Sequence, residues 1–326
     1  MSRLAQTLKG TFLLVLAGVG SWIVYSAVGM RRDRPLPPAV DAPRRSFSGQ
    51  AFGRVSYYVD ENKGKGTPLL LIHSVNAAGS AYEMRPIFQH YQGTRPVYAM
   101  ELPGFGFSER AARTYTPETF FAAVQAMLTE EIGEPADVVA LSLGAEFAAM
   151  AALRAPGLVR SLTLIAPTGF GQSSPQGSDT LALPFRIPLV NQAIYDLLVT
   201  RWSIKYFLGL SFLGPIPDDL IEYGVRTGRQ PGAANAPYSF VSGCLFTPDV
   251  RQKVYARVSQ PTLVLYNQSG FVGYDRLPGF VWEREHWQSV ELKRSKDLPQ
   301  FEEPDAVFRQ LDRFWSSSVT TVSWEE

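Results

Sequence analysis

Histidine and cysteine are the scarce residues of this 326-residue chain: His73, His90 and His286 are its three histidines, and Cys244 its one cysteine. A lone thiol excludes an internal disulfide and supplies no cluster for zinc or an iron–sulfur centre, so neither a metal nor an organic cofactor is expected. Charge of one sign is equally lacking. Thirty-one Lys and Arg face 30 Asp and Glu, a net charge of +1 without a segregated basic block, which argues against nucleic acid as a partner. Repeats are absent too, and with 45% apolar residues the chain is neither disordered nor fibrous and can bury a large core.

One long uncharged run stands out. Thr11 to Met30 holds twenty residues without a charge, and at about 1.5 Å per helical residue this matches the roughly 30 Å hydrocarbon core of a bilayer. The run predicts a single-pass membrane anchor over residues 1–32. A cleaved signal peptide is the competing reading, but its apolar region is usually only about 7–15 residues long. Arg31, Arg32 and Arg34 after the run outnumber Arg3 and Lys9 before it, which places the C-terminal bulk on the cytoplasmic side. Residues 33–49, rich in proline, read as a stiff linker.

Beyond residue 50, short β-rich runs alternate with helical ones, the pattern of a mostly parallel central sheet flanked by helices. Strands are expected at 54–59, 68–73, 95–100, 136–141, 161–166, 261–266 and 289–293, and helices at 116–132, 143–154 and 304–315. Thr116 and Pro117 make a good helix start. About ninety-five residues separate the fifth and sixth of these strands, too many for one crossover. They predict an inserted helical cap over 171–258, dividing a core of 50–170 and 259–326. Within it, Val190, Ala193, Ile194, Leu197, Leu198, Ile204 and Leu208 fall on one helical face.

Ala140-Leu141-Ser142-Leu143-Gly144 lies where a buried strand turns at once into a helix, the setting of a G-x-S-x-G nucleophile elbow. Here the chain resembles the α/β-hydrolase fold family, in its serine-nucleophile, esterase- and lipase-like branch. LLLIHSVNAAG is similar to the family's strand-plus-His-Gly segment and RPVYAMELPGFGFS to its D-x-P-G-x-G-x-S segment, with Glu101 in place of aspartate. VRSLTLIAPTGF and PTLVLYNQ resemble the next two core strands. The resemblance implies Ser142 as nucleophile and an oxyanion hole from the backbone N–H groups of Leu143 and Val75. It implies that His73 supports the oxyanion loop. Serine at the elbow separates the chain from the dehalogenase and epoxide-hydrolase branches, which use aspartate.

The same resemblance exposes a defect. Gly270 occupies the position of the family's acid, and Asp297 that of its histidine. His286 falls at the opposite edge of the sheet. A serine hydroxyl needs a base, and loss of the base from a serine protease costs about 10⁶ in kcat. Glu146, one turn past Ser142, either faces the site or pairs with an arginine or solvent. Two functions stay open: hydrolysis of an apolar ester by Ser142 with a nonstandard base, and a pseudo-hydrolase that holds an apolar acyl or ester ligand, or a membrane partner, without breaking a bond.

Overall fold

The computed structural model describes residues 17–32, 34–61, 66–172, 187–268 and 270–318. Its eight strands are β1 (Arg44–Gly49), β2 (Gly53–Asp60), β3 (Leu69–Ile72), β4 (Val97–Met100), β5 (Ala136–Leu141), β6 (Val159–Ile165), β7 (Thr262–Tyr266) and β8 (Trp287–Glu291). They form one sheet in the order β1-β2-β4-β3-β5-β6-β7-β8. Pairing is antiparallel from β1 to β4 and parallel from β4 to β8. All six residues of β5 and all four of β3 are buried, which is why these segments read as continuous apolar runs: helices cover both faces.

On one face, α3 (Pro117–Ala126) and α4 (Gly144–Arg154) bury Phe120, Val124, Phe147 and Ala151 against the sheet. Thr116 caps α3 through its side chain, as the sequence predicts, and the helix then widens into a π turn over Met127–Ile132. On the other face, α2 (Arg85–Tyr91) and α9 (Pro304–Ser318) bury Phe88, Val307, Leu311 and Phe314. Each expected strand is present, displaced by at most two residues at either end.

The inserted region carries α5 (Pro188–Leu198), α6 (Arg201–Ser211), α7 (Asp218–Gly228) and α8 (Asn235–Val241). The single apolar face expected across 188–209 is broken, because Thr200 accepts a hydrogen bond from Ser203 N–H and starts a new helix. Ala193 and Ile204 are buried as expected and so is Val199, outside the expected face, whereas Leu197 is 54% exposed. Cys244 is exposed in the same region.

The N-terminal segment departs further from expectation. Residues 44–49 are not linker but an edge strand, recorded in the sequence by a single inward apolar residue, Phe47. Ala39 and Val40, within the expected spacer, are buried in the core, and Ala39 N–H donates to Tyr58 Oη at 2.9 Å. Of the expected membrane run, residues 11–16 lie outside the described residues. Residues 17–28 form helix α1, and among the described residues no helix is long and apolar enough to cross a membrane. Its last turns are fastened to the insertion. Trp22 Nε1 donates to the Ala193 carbonyl at 2.8 Å, and Ser26 Oγ donates to the buried Asp196 carboxylate at 2.5 Å, where Arg32 also pairs.

A chain truncated to begin at residue 50 loses the buried side chains of Val40 and Phe47, each worth about 1.5–3 kcal/mol. It is expected to unfold with roughly 3–6 kcal/mol less stability than a chain beginning at residue 36, measured by urea titration.

Candidate active site

In open α/β sheets, sites form beyond the carboxyl ends of the parallel strands. Ser142 stands at that end of β5, with φ of 53°, a left-handed backbone that a side-chain-bearing residue adopts only when its surroundings impose it. Two contacts do so here. Ser142 N–H donates to the Ile165 carbonyl of β6 at 2.8 Å. Two residues on, a Cβ added at Gly144 would lie 2.5 Å from the His73 carbonyl and 3.2 Å from Ile72. Glycine lets α4 start hard against the end of β3, and the serine is thereby pushed out beside the loop that follows β3.

That loop, residues 73–78, is held rigidly. His73 is fully buried; its Nδ1 bonds the Ser74 carbonyl at 2.6 Å and its Nε2 accepts from Leu102 N–H at 2.9 Å. Because Leu102 can only donate, the ring proton is on Nδ1. Burial depresses this imidazole to a pKa of about 4. With both nitrogens occupied and the ring neutral, His73 supports the loop, as the resemblance implies, and cannot serve as a proton acceptor for Ser142. Glu83, which the sequence reading overlooked, is the second anchor. Its carboxylate accepts from Ser74 N–H and from Asn76 Nδ2, each at 2.8 Å. Asn76 Oδ1 in turn accepts from Ala78 N–H at 2.7 Å. Nothing in the local sequence separates Glu83 from a solvent-facing helical glutamate. Between these anchors, Val75 N–H meets no acceptor among the described residues, and neither does Leu143 N–H at the start of α4.

Gly270 and Asp297 follow β7 and β8, at the same edge as Ser142. They also face each other: a Cβ at Gly270 would lie 2.2 Å from Asp297 Oδ1. The two positions where the resemblance implies an acid and a histidine are therefore neighbours, and they hold glycine and aspartate. Asp297 accepts from Phe271 N–H at 2.9 and 3.1 Å, and its own N–H donates to the Ser211 carbonyl of the insertion at 3.1 Å. Burial raises its pKa above the usual aspartate value, partly offset by the Phe271 bond. Among the described residues no side chain hydrogen-bonds Ser142 Oγ. His286 precedes β8 and bonds the Val258 carbonyl at 2.9 Å, at the amino ends of the strands. His90 stacks on Phe308 of α9, ring centres 3.7 Å apart.

The family model described as "Alpha/beta hydrolase family" matches residues 69–310. The chain belongs to the alpha/beta hydrolase family. Solved structures agree on the fold. A probable hydrolytic enzyme from Pseudomonas aeruginosa is 19% identical, with a TM-score of 0.68 over 87% of this chain and 96% of that one. An esterase from Thermogutta terrifontis is 17% identical, with a TM-score of 0.66 over 85% and 99%. A haloalkane dehalogenase from Agrobacterium tumefaciens is 20% identical, with a TM-score of 0.66 over 85% and 98%. No curated protein matches this chain. Esterase and dehalogenase on one scaffold mean that this hydrolase-family fold does not by itself select a chemistry.

Glu146 of the hydrolase core settles differently from the arginine pairing or solvent exposure that the sequence favoured. It is 1% exposed and bridges two loops, accepting from the Thr168 hydroxyl and, at 2.8 Å, from Thr247 N–H. Burial raises its pKa to about 7 against the downward pull of those bonds, and burial likewise raises Glu83 and Glu101 to about 7. Between about pH 4.5 and 7 the folded protein thus holds protons that the unfolded chain releases. Their contribution to stability is complete below pH 4.5 and is lost as pH rises through about 7. Glu146→Gln, which keeps an acceptor for Thr247 and a partner for Thr168, is expected to melt with a smaller loss of thermal midpoint between pH 5 and pH 8 than the parent. An unchanged pH dependence would count against a protonated Glu146.

Proposed function

We propose that this chain is a membrane-anchored alpha/beta hydrolase family protein that holds an apolar acyl or ester ligand over Ser142 without hydrolysing it. The observation that carries this reading is the exchange at the base position, where Asp297 ties Phe271 to Ser211 and faces Gly270 instead of a carboxylate. Both local histidine options are closed, because His73 has both nitrogens engaged and His286 sits at the far end of the strands. What stays available for binding is the strained serine and the free N–H groups of Val75 and Leu143, a cradle suited to a carbonyl or carboxylate oxygen. General-base assistance is worth about 10²–10⁴ in rate, so without it the cradle favours retention over turnover. The uncharged run from Thr11 and the arginines after it support attachment to a membrane with the globular part on the cytoplasmic side, the last turns of the run being fastened to the insertion instead of spanning.

A second reading is favoured by one observation. The raised pKa of Asp297 makes it a stronger base than an ordinary aspartate, and hydrolysis by a Ser142–Asp297 pair would then follow.

The two readings separate in the full chain, purified in non-ionic detergent. Turnover of p-nitrophenyl butyrate and labelling by a fluorophosphonate are expected to be equal in the parent and in Ser142→Ala; turnover that requires Ser142 would establish the second reading.

Restoring the missing groups gives the converse test. Gly270→Asp alone sets a carboxylate against Asp297 in space that does not admit even a Cβ, and a loss of about 1–3 kcal/mol of stability is expected. Gly270→Asp with Asp297→His supplies an acid–histidine pair, and Ser142-dependent ester turnover is expected to rise about 10²–10⁴-fold over the parent.

A further inference from the structure

Five arginines converge on one cleft between α1 and the insertion. Arg31, Arg34, Arg201, Arg226 and Arg229, together with Glu222, bound a cavity of about 180 Å³. Arg201 is paired, with Glu222 and with Asp218 at 2.8 Å. Among the described residues the other four have no carboxylate partner, and the Arg229 Nε is buried with no hydrogen bond at all. Crowding four uncompensated guanidinium groups at one cavity is unfavourable unless an anion completes it, and their planar donor forks suit phosphoryl oxygens in particular.

The cleft does not end there. A second cavity of about 390 Å³ shares Arg31, Arg34 and Arg229 and continues along Trp22, Tyr25 and Met30. The rings of Trp22 and Tyr25 lie 5.8 Å apart. The site thus has a cationic end and an aromatic, apolar end. Beside it, α6 runs from Arg201 with its inner face, Ser203 and Ile204, buried and its outer face aromatic. Trp202 and Tyr206 are 76% and 54% exposed and stack at 5.8 Å, with Lys205 exposed between them. Exposed Trp and Tyr beside Lys and Arg are the side chains that sit at the headgroup level of a bilayer.

We propose that this cleft binds the phosphoryl headgroup of an anionic membrane lipid. The phosphate sits against Arg226, Arg229, Arg34 and Arg31, and the glycerol and upper acyl carbons lie along Trp22, Tyr25 and Met30. A zwitterionic headgroup fits poorly, because Glu222 is already paired and a choline would meet unopposed arginines. Free phosphate leaves the aromatic end unfilled. The site is independent of what Ser142 does, and it draws Trp22, Tyr25, Met30 and Arg31 from the N-terminal run itself.

Native mass spectrometry of the full chain in non-ionic detergent, titrated with dioleoylphosphatidylglycerol, dioleoylphosphatidylcholine or inorganic phosphate, tests the proposal. One phosphatidylglycerol is expected to be retained with a Kd at least tenfold below that of phosphatidylcholine. The double variant Arg226→Gln/Arg229→Gln is expected to lose that preference, and Arg257→Gln, outside the cleft, to keep it. Equal retention of the two lipids, full retention by the double variant, or inorganic phosphate binding as tightly as phosphatidylglycerol would overturn it. Should the double variant fail to fold, Arg31→Gln/Arg34→Gln, in the irregular stretch ahead of the sheet, carries the same expectation and the same refutation.

Discussion

The close approach of α4 to the end of β3, with Gly144 against the His73 carbonyl, is the contact on which the rest of the site depends. Any larger residue there would lift the helix from the strand, relax the left-handed turn at Ser142 and separate the serine from the loop carrying Val75. The positive end of α4 and the unpaired N–H groups beside it are consequences of the same approach. None of this requires a base. The left-handed serine and the unpaired N–H groups beside it are therefore built by strain and backbone geometry, whatever side chains stand at 270 and 297.

The exchange at positions 270 and 297 is not a simple loss. Asp297 gathers Phe271 from the loop after β7 and Ser211 from the insertion, and Glu302, five residues on, accepts the N–H groups of Leu213 and Gly214 at 2.7 Å each. This loop, where the resemblance leads one to expect a histidine, is a bracket between core and insertion. Glu146 performs a similar office on the other flank, through Thr168 and Thr247. Groups that stand where chemistry is expected are engaged in holding the insertion in place.

Much of this was legible in the sequence, for identifiable reasons. Buried parallel strands leave continuous apolar runs, so β3, β5, β6 and β7 announce themselves, and the abrupt step from β5 into α4 marks Ser142. Gly270 could be placed from the strand before it, and Asp297 from Pro299 and Pro304 after it. What escaped had weak or misleading local signals. β1 is an edge strand with one inward residue, Phe47. Glu83, Glu101 and Glu146 are buried carboxylates in segments whose patterns do not distinguish them from exposed ones, and their partners are tertiary. The break at Thr200 turns on one side-chain hydrogen bond. An uncharged run near the N-terminus says nothing about Trp22 and Ser26 finding partners some 170 positions away.

Those two contacts have a mechanical corollary. α1 is clasped to α5, while a few residues later Ala39 and Val40 are sunk in the core and the Tyr223 hydroxyl of α7 donates to the Pro37 carbonyl at 3.1 Å. The leading segment is thus a strap stitched to both bodies, and the insertion cannot swing away from the sheet without tearing one of its seams. Any movement of the insertion costs those bonds, and whatever grips the amino terminus holds the insertion still.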